Sequence, residues 1–217
     1  MRKGITDMLY LNCLAFAAFA YLLGGINGAI ILSRLVYRED IRQLGSKNPG
    51  FTNFKRLHGF APATFGVMAI DICKTILPVL SARLVMGHFY NAAQLGAAAA
   101  LLGCMLGHAF PVWYDFKGGK AVMTFLAGVW FVDWRAGLIC FAIFVIILFT
   151  IRFMSVASMS FAVLFPIVLF LLKCRNPATL VIMAVAGILV VARHHQNISR
   201  LRTGTESKFY LKKKKSS

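Results

Sequence analysis

Four polar stretches interrupt an apolar sequence of 217 residues, and each carries side chains suited to holding an anion. The first is Gly45-Ser46-Lys47-Asn48-Pro49-Gly50-Phe51-Thr52-Asn53. Two glycines and a proline do not sustain a helix, and Ser46, Asn48, Thr52 and Asn53 are short hydrogen-bonding residues that tolerate turns. Backbone N–H groups of such a turn, with those of a helix starting near Asn53, can converge on one acceptor; an ordinary turn between helices suits the same residues. The second stretch runs from Gly107-His108 through Phe110-Pro111 to Lys117-Gly118-Gly119-Lys120, a glycine-rich helix start flanked by lysines. It suits phosphate, but Ala121 stands where a nucleotide-binding P-loop needs Ser or Thr, which excludes that site. Arg152, Ser155 and Ser158 form the third. The fourth is Arg193-His194-His195-Gln196-Asn197 with Arg200 and Gly204-Thr205-Glu206. Adjacent side chains on a helix point about 100 degrees apart, so His194 and His195 do not make a metal site. His194 and Asn197, three apart, share a face.

The elements that must position these groups are membrane helices. Hydrophobic residues make up 59% of the chain and charged residues 14%, with a mean hydropathy of +0.73, which is not a soluble composition. The net charge of +17 sits in short segments between apolar runs, where it sets orientation and attracts anionic lipid or phosphorylated substrates; nucleic-acid binding is excluded on that distribution. Apolar periodicity predicts seven spans over 8–35, 61–85, 92–111, 119–132, 135–151, 156–172 and 178–192, two of them short. Gly24 and Gly28 within the first imply close helix packing, and Asn27 needs a partner at depth. Asp71 and Lys74, one turn apart in the second, suit either a structural ion pair or a functional site.

An odd number of spans places the termini on opposite sides. Arg34, Arg38, Arg42, Lys47, Lys55, Arg56, Lys117, Lys120, Arg152 and everything from Arg193 onward fall on one face; Arg2, Lys3, Arg83, Arg135, Lys173 and Arg175 fall on the other. The richer face, including the basic tail over 208–217, is expected in the cytoplasm. All four polar stretches reach that face. With no internal repeat, the expectation is one all-α transmembrane domain over 1–217, acting as an enzyme or transporter for a phosphorylated, lipid-linked substrate. Five cysteines without C-x-x-C pairing predict buried free thiols and no metal, and no cofactor is implied.

Taken in order, Tyr21-Leu22-Leu23-Gly24, Asp40-Ile41-Arg42, Gly45-Ser46 with Asn48-Pro49-Gly50 and Thr52-Asn53, Gly107-His108 with Phe110-Pro111, Phe116-Lys117-Gly118-Gly119-Lys120, and Arg193-His194 with Asn197-Ile198 and Gly204-Thr205-Glu206 resemble the bacterial PlsY family of membrane acyl-phosphate:glycerol-3-phosphate acyltransferases. The resemblance covers nearly the whole chain. It implies seven helices, a cytoplasmic active site in a bacterial plasma membrane, and transfer of a fatty acyl group from acyl phosphate to sn-glycerol 3-phosphate without coenzyme A, giving lysophosphatidic acid. An enzyme producing acyl phosphate is the partner it implies. By similarity, Lys120, His194 and Asn197 are catalytic. Arg42, Ser46, Asn48, Thr52, Asn53, His108, Lys117, Arg152, Ser155, Ser158 and Glu206 are expected to bind substrate or its phosphate. In keeping with this, none of His58, His88, His108, His194 or His195 has the His-x4-Asp spacing of coenzyme-A-dependent glycerolipid acyltransferases. The chain departs from the family pattern at Gly25 (Ser in the family), Asn27 (Pro), Lys47 (Gly), Phe51 (Ala), Thr75 (Gly) and Ala121 (Gly). These departures keep a second reading open, a non-catalytic member that binds or moves a lipid phosphate.

Overall fold

The computed structural model describes residues 2–174 and 176–210; most of the basic tail, from 211, and Arg175 lie outside the described residues. Ten α-helices form the described structure: α1 Arg2–Gly24, α2 Gly28–Tyr37, α3 Phe51–His58, α4 Pro62–Tyr90, α5 Ala93–Ala109, α6 Val122–Val132, α7 Trp134–Ile151, α8 Met154–Leu171, α9 Pro177–Arg193 and α10 His195–Arg202. Five apolar stretches of 18 residues or more are long enough to cross a bilayer: 4–37, 62–90, 93–114, 134–151 and 154–171. α9 and α10 form a pair bent by 54°.

Among the described residues that makes five spans, or six with the bent α9–α10 pair, against the seven that the apolar pattern predicts, and two of the predicted passes differ from uniform spans. The first is broken. Gly24-Gly25 weakens α1, and Asn27 restarts the helix by accepting a hydrogen bond from the Ile30 N–H at 3.0 Å. Its amide also donates to the Pro49 carbonyl at 3.2 Å, which supplies the partner that a buried Asn requires. The fourth pass is short. Helix α6 has 11 residues, about 16 Å at 1.5 Å per residue against a hydrocarbon core of about 30 Å. Residues 119–121, expected within the span, are instead non-helical, as is Gly118 before them.

Small residues let α1, α4 and α5 approach closely. A side chain at Gly103 would meet the Ala17 carbonyl at 2.1 Å, one at Gly107 the Tyr21 carbonyl at 2.0 Å, and one at Gly24 the Cys104 carbonyl at 2.2 Å. Gly28 lies 3.1 Å, by the same measure, from Val67 on α4, so the paired glycines of the first pass do serve packing. Edge-to-face contacts of Phe125 with Phe161 and Phe165, at 5.6 and 5.7 Å between centroids, join α6 to α8. Among the cysteines all are free; Cys13, Cys104 and Cys140 are buried, but Cys73 is exposed on the outer face of α4, contrary to the expectation of buried thiols.

Candidate active site

At the end of the bundle that carries the second to fourth polar stretches, Lys120 begins a continuous hydrogen-bond chain. Its ammonium donates to the Asn197 side-chain oxygen. The Asn197 amide donates to Glu206 at 2.6 Å, the Ser155 hydroxyl donates to the same carboxylate oxygen at 2.8 Å, and Arg200 holds the other at 2.7 Å. Burial works against the Glu206 carboxylate, yet these donors outweigh it and hold its pKa below the ordinary value. Burial also pushes the Lys120 ammonium down, to about 8, with Arg200, Arg56 and Arg193 acting in the same direction and Glu206 opposing them. Only one of the three Lys120 donors has a partner among the described residues. A cation so placed, under the repulsion of three arginines, is suited to pairing with an anion.

Backbone architecture delivers Lys120 to this point. Gly119 donates its N–H to the His108 carbonyl at 3.0 Å. Arg193 spans the loop from the other side, donating to the Gly119 carbonyl at 3.0 Å and the Gly118 carbonyl at 2.8 Å. Neither glycine has room for a side chain: an atom added at Gly118 would lie 2.1 Å from the His108 carbonyl, and one at Gly119 2.2 Å from the His108 ring. The Arg193 guanidinium also stacks over Phe110 at 5.1 Å. His194 is buried, and its Nδ1 lies 2.7 Å from the Val190 carbonyl. A carbonyl only accepts, so that nitrogen carries the proton and Nε2 is left as an acceptor. His195 is exposed and bonds the Ala192 carbonyl, so the two histidines diverge as their adjacency requires.

The Gly45–Asn53 loop abuts this site, since Gly119 faces the Pro49 carbonyl. Asn53 is buried and closes the loop on itself, accepting from the Ser46 N–H at 2.9 Å and donating to the Leu44 carbonyl at 3.0 Å. The helix expected near Asn53 begins at Phe51. Arg42 is oriented by Asp40, with contacts of 2.7 to 3.1 Å, and its hydrogen bonds hold the Asp40 carboxyl well below the usual carboxylate range. Asn48 is half-buried and Thr52 exposed. Lys117 is exposed on the turn before the glycines. Arg152 is exposed at the end of α7, outside the Lys120 chain, where its carbonyl accepts from the Phe209 N–H at 2.6 Å. Ser158 turns back to the Met154 carbonyl of its own helix. His108 lies beneath the glycine loop rather than in the open site, bonded to Lys74.

Sequence reasoning left Arg56, Arg193 and Arg200 out of the binding set. Arg56 reaches Ser207 at 3.4 Å and Asn53 at 3.5 Å, so it closes the gap between the first and last polar stretches. The available signal was position: Arg193 adjoins His194, and Arg200 stands three residues after Asn197, on its face.

Apolar helices around a half-buried cationic hydrogen-bond chain define a polytopic membrane protein with an anion site at one end. Comparison with known proteins narrows this. The sequence pattern described as Glycerol-3-phosphate acyltransferase matches residues 14–204. The glycerol-3-phosphate acyltransferase of Mesorhizobium japonicum is 40% identical over 196 residues, covering 89% of this chain and 94% of the relative; that of Vibrio cholerae is 34% identical over 204 residues, covering 94% of each. The crystal structure of PlsY (YgiH), an integral membrane glycerol 3-phosphate acyltransferase, in its glycerol 3-phosphate form superposes with a TM-score of 0.80 at 32% identity, over 91% of this chain and 96% of that one. Its lysophosphatidic acid form gives 0.75 at 31%, over 91% and 95%. The chain belongs to the glycerol-3-phosphate acyltransferase family.

Proposed function

We propose that this chain transfers a fatty acyl group from acyl phosphate to the 1-hydroxyl of sn-glycerol 3-phosphate, as one transmembrane domain with its site on the cytoplasmic face. The observation that carries the reading is Lys120, a partly desolvated ammonium with two donors unmatched among the described residues. Both substrates present phosphate, and the acyl carbonyl gathers negative charge as the hydroxyl attacks, so a preorganised cluster of Lys120, Arg56, Arg193 and Arg200 acts where charge develops. The hydroxyl oxygen bonds the acyl carbon, the acyl–phosphate C–O bond breaks, and the hydroxyl proton passes to the departing phosphate. No strong protein base is required, and His194 Nε2 serves as an acceptor that orients the hydroxyl. Asn197 holds Lys120, and Glu206 holds Asn197.

Room for a long acyl chain supports a lipid donor. An apolar groove of about 630 Å³ lies between α1, α5 and α9, lined by Cys13, Ala17, Tyr21, Leu22, Gly103 and Leu106. At Tyr21 it meets the site, because the Tyr21 hydroxyl bonds the Phe110 carbonyl at 2.8 Å and Phe110 lies under Arg193. The donor is tested by giving purified protein labelled glycerol 3-phosphate with acyl phosphate, acyl-coenzyme A or acyl carrier protein thioester. Lysophosphatidic acid forms with acyl phosphate alone; formation only with a thioester overturns the donor assignment.

A further inference from the structure

Lys74 is buried within α4 and takes no part in the chemistry described above. Its ammonium makes two hydrogen-bond contacts, with the Ile26 carbonyl at 2.7 Å and His108 Nδ1 at 2.8 Å, and an ion pair with Asp71 Oδ1 at 2.7 Å, outside hydrogen-bond geometry. The three partners belong to three different passes. Ile26 is in the break of the first, where the helix leaves a carbonyl without its usual partner. His108 is in the last turn of α5, and Asp71 is on α4 itself.

Two of the partners, His108 directly and Ile26 through its neighbour Asn27, connect to the site's backbone. His108 accepts the Gly119 N–H through its carbonyl, and its ring fills the space beneath Gly119. Asn27, next to Ile26, holds the Pro49 carbonyl of the anion loop. Burying an ammonium and a carboxylate is a poor way to gain stability, since apolar residues of similar volume pack as well or better. What such an ammonium supplies is a fixed point between three passes. Lys120, with one protein hydrogen bond, is suited to a ligand; Lys74, held by two hydrogen-bond contacts and an ion pair, is suited to holding protein.

We infer that Lys74 is a positioning residue for acyl transfer: through Ile26 and His108 it locks the first-pass break to the end of α5, and so holds the Pro49–Gly50 turn and the Gly118–Gly119 loop in register around Lys120. The inference rests on the proposed reaction. Asp71 aims Lys74 from 2.7 Å, and without it a buried ammonium is left between two neutral partners.

The test compares wild-type, Lys74→Met, Lys74→Arg, Asp71→Asn and the double variant Asp71→Asn with Lys74→Met, each purified in detergent, with kcat and KM for glycerol 3-phosphate scaled to folded, monodisperse protein. Lys74→Met is expected to lose tenfold to a hundredfold in kcat/KM, the scale of a displacement near 1 Å in a reacting site. The double variant removes the uncompensated charge, yet leaves the Ile26 carbonyl and His108 without their donor. It is expected to recover thermal stability while kcat/KM remains at least tenfold low, and Lys74→Arg is expected to restore part of it. A double variant with wild-type kcat/KM per folded molecule overturns the inference, because the pair then serves only to neutralise charge. Should Lys74→Met fail to fold, the double variant carries the decision alone. A wild-type protein making no lysophosphatidic acid refutes the reaction, whatever the variants do.

Discussion

At the scale of single residues, the number of donors already satisfied separates Lys120 from Lys74, and the charge state of Lys120 is open to measurement. With its pKa near 8, the free protein loses the protonated ammonium as pH rises past that value, so kcat/KM for glycerol 3-phosphate is predicted to fall on the alkaline side with an apparent pKa near 8. Lys120→Arg, charged at all these pH values, is expected to abolish that limb while lowering the plateau. Stability moves the other way. Between pH 8 and about 10.4 the unfolded lysine binds more protons than the folded one, so this group's contribution to stability rises with pH over that window. Lys120→Met, scaled to folded protein, is predicted to cost about 2 to 4 kcal/mol of transition-state stabilisation.

Two departures from the family pattern also acquire a physical meaning at this scale. Lys47 and Ala121, which the resemblance sets against glycines, both have positive φ, 57° and 56°. The left-handed region costs a non-glycine about 1 to 2 kcal/mol. Lys47 is exposed, so Lys47→Gly is predicted to stabilise the protein by up to about 1 kcal/mol once glycine's own entropy cost of about 0.5 to 1 kcal/mol is subtracted. Ala121 is fully buried, and losing its methyl forfeits about 0.8 kcal/mol, so Ala121→Gly should change stability little. Thermal unfolding in detergent distinguishes the two. Gly25 is accommodated differently: a side chain there would lie 2.8 Å from the Trp113 ring, whose indole N–H bonds the Leu22 carbonyl. Trp113 therefore fills the space that a side chain at Gly25 would need.

At the scale of elements, the apolar runs were legible because membrane spans are written in composition, and the break in the first pass was prefigured by Gly24, Gly25 and Asn27. The non-helical run 118–121 was not. Its conformation depends on His108 and Arg193, and Arg193 lies on a helix far along the chain; local apolar periodicity carries no trace of such a partner. Legibility of the site divided in the same way. Lys120, Asn197 and Glu206 belong to recognisable motifs, whereas Asn53, which looks like a ligand by type, is committed to closing its own loop. The Arg193 bridge yields a further prediction. Arg193→Lys keeps the charge but cannot span two carbonyls with a planar fork. KM for glycerol 3-phosphate should rise roughly tenfold, the equivalent of about 1.4 kcal/mol for one hydrogen bond to a charged donor. An unchanged KM would mean the glycine loop holds its shape without the bridge.

At the scale of the whole molecule, every feature of the site lies at one end of the bundle, where the chain folds back on itself after α10. Glu206 is held by three side chains, Ser207 meets Arg56, and Phe209 joins the end of α7 through its backbone while Lys55 lies 5.0 Å from its ring. The proposed orientation, with this positively charged end in the cytoplasm by the positive-inside rule, lets orientation and chemistry be tested together. Inside-out and right-side-out membrane vesicles carrying the protein, both preloaded with acyl phosphate in the bilayer, are given labelled glycerol 3-phosphate in the external medium, which does not cross the membrane. The prediction is labelled lysophosphatidic acid in inside-out vesicles, none in right-side-out vesicles until they are permeabilised, and none in either with Lys120→Met. Product in sealed right-side-out vesicles, or none in inside-out vesicles, would contradict the assignment of acyl transfer to this end of the protein.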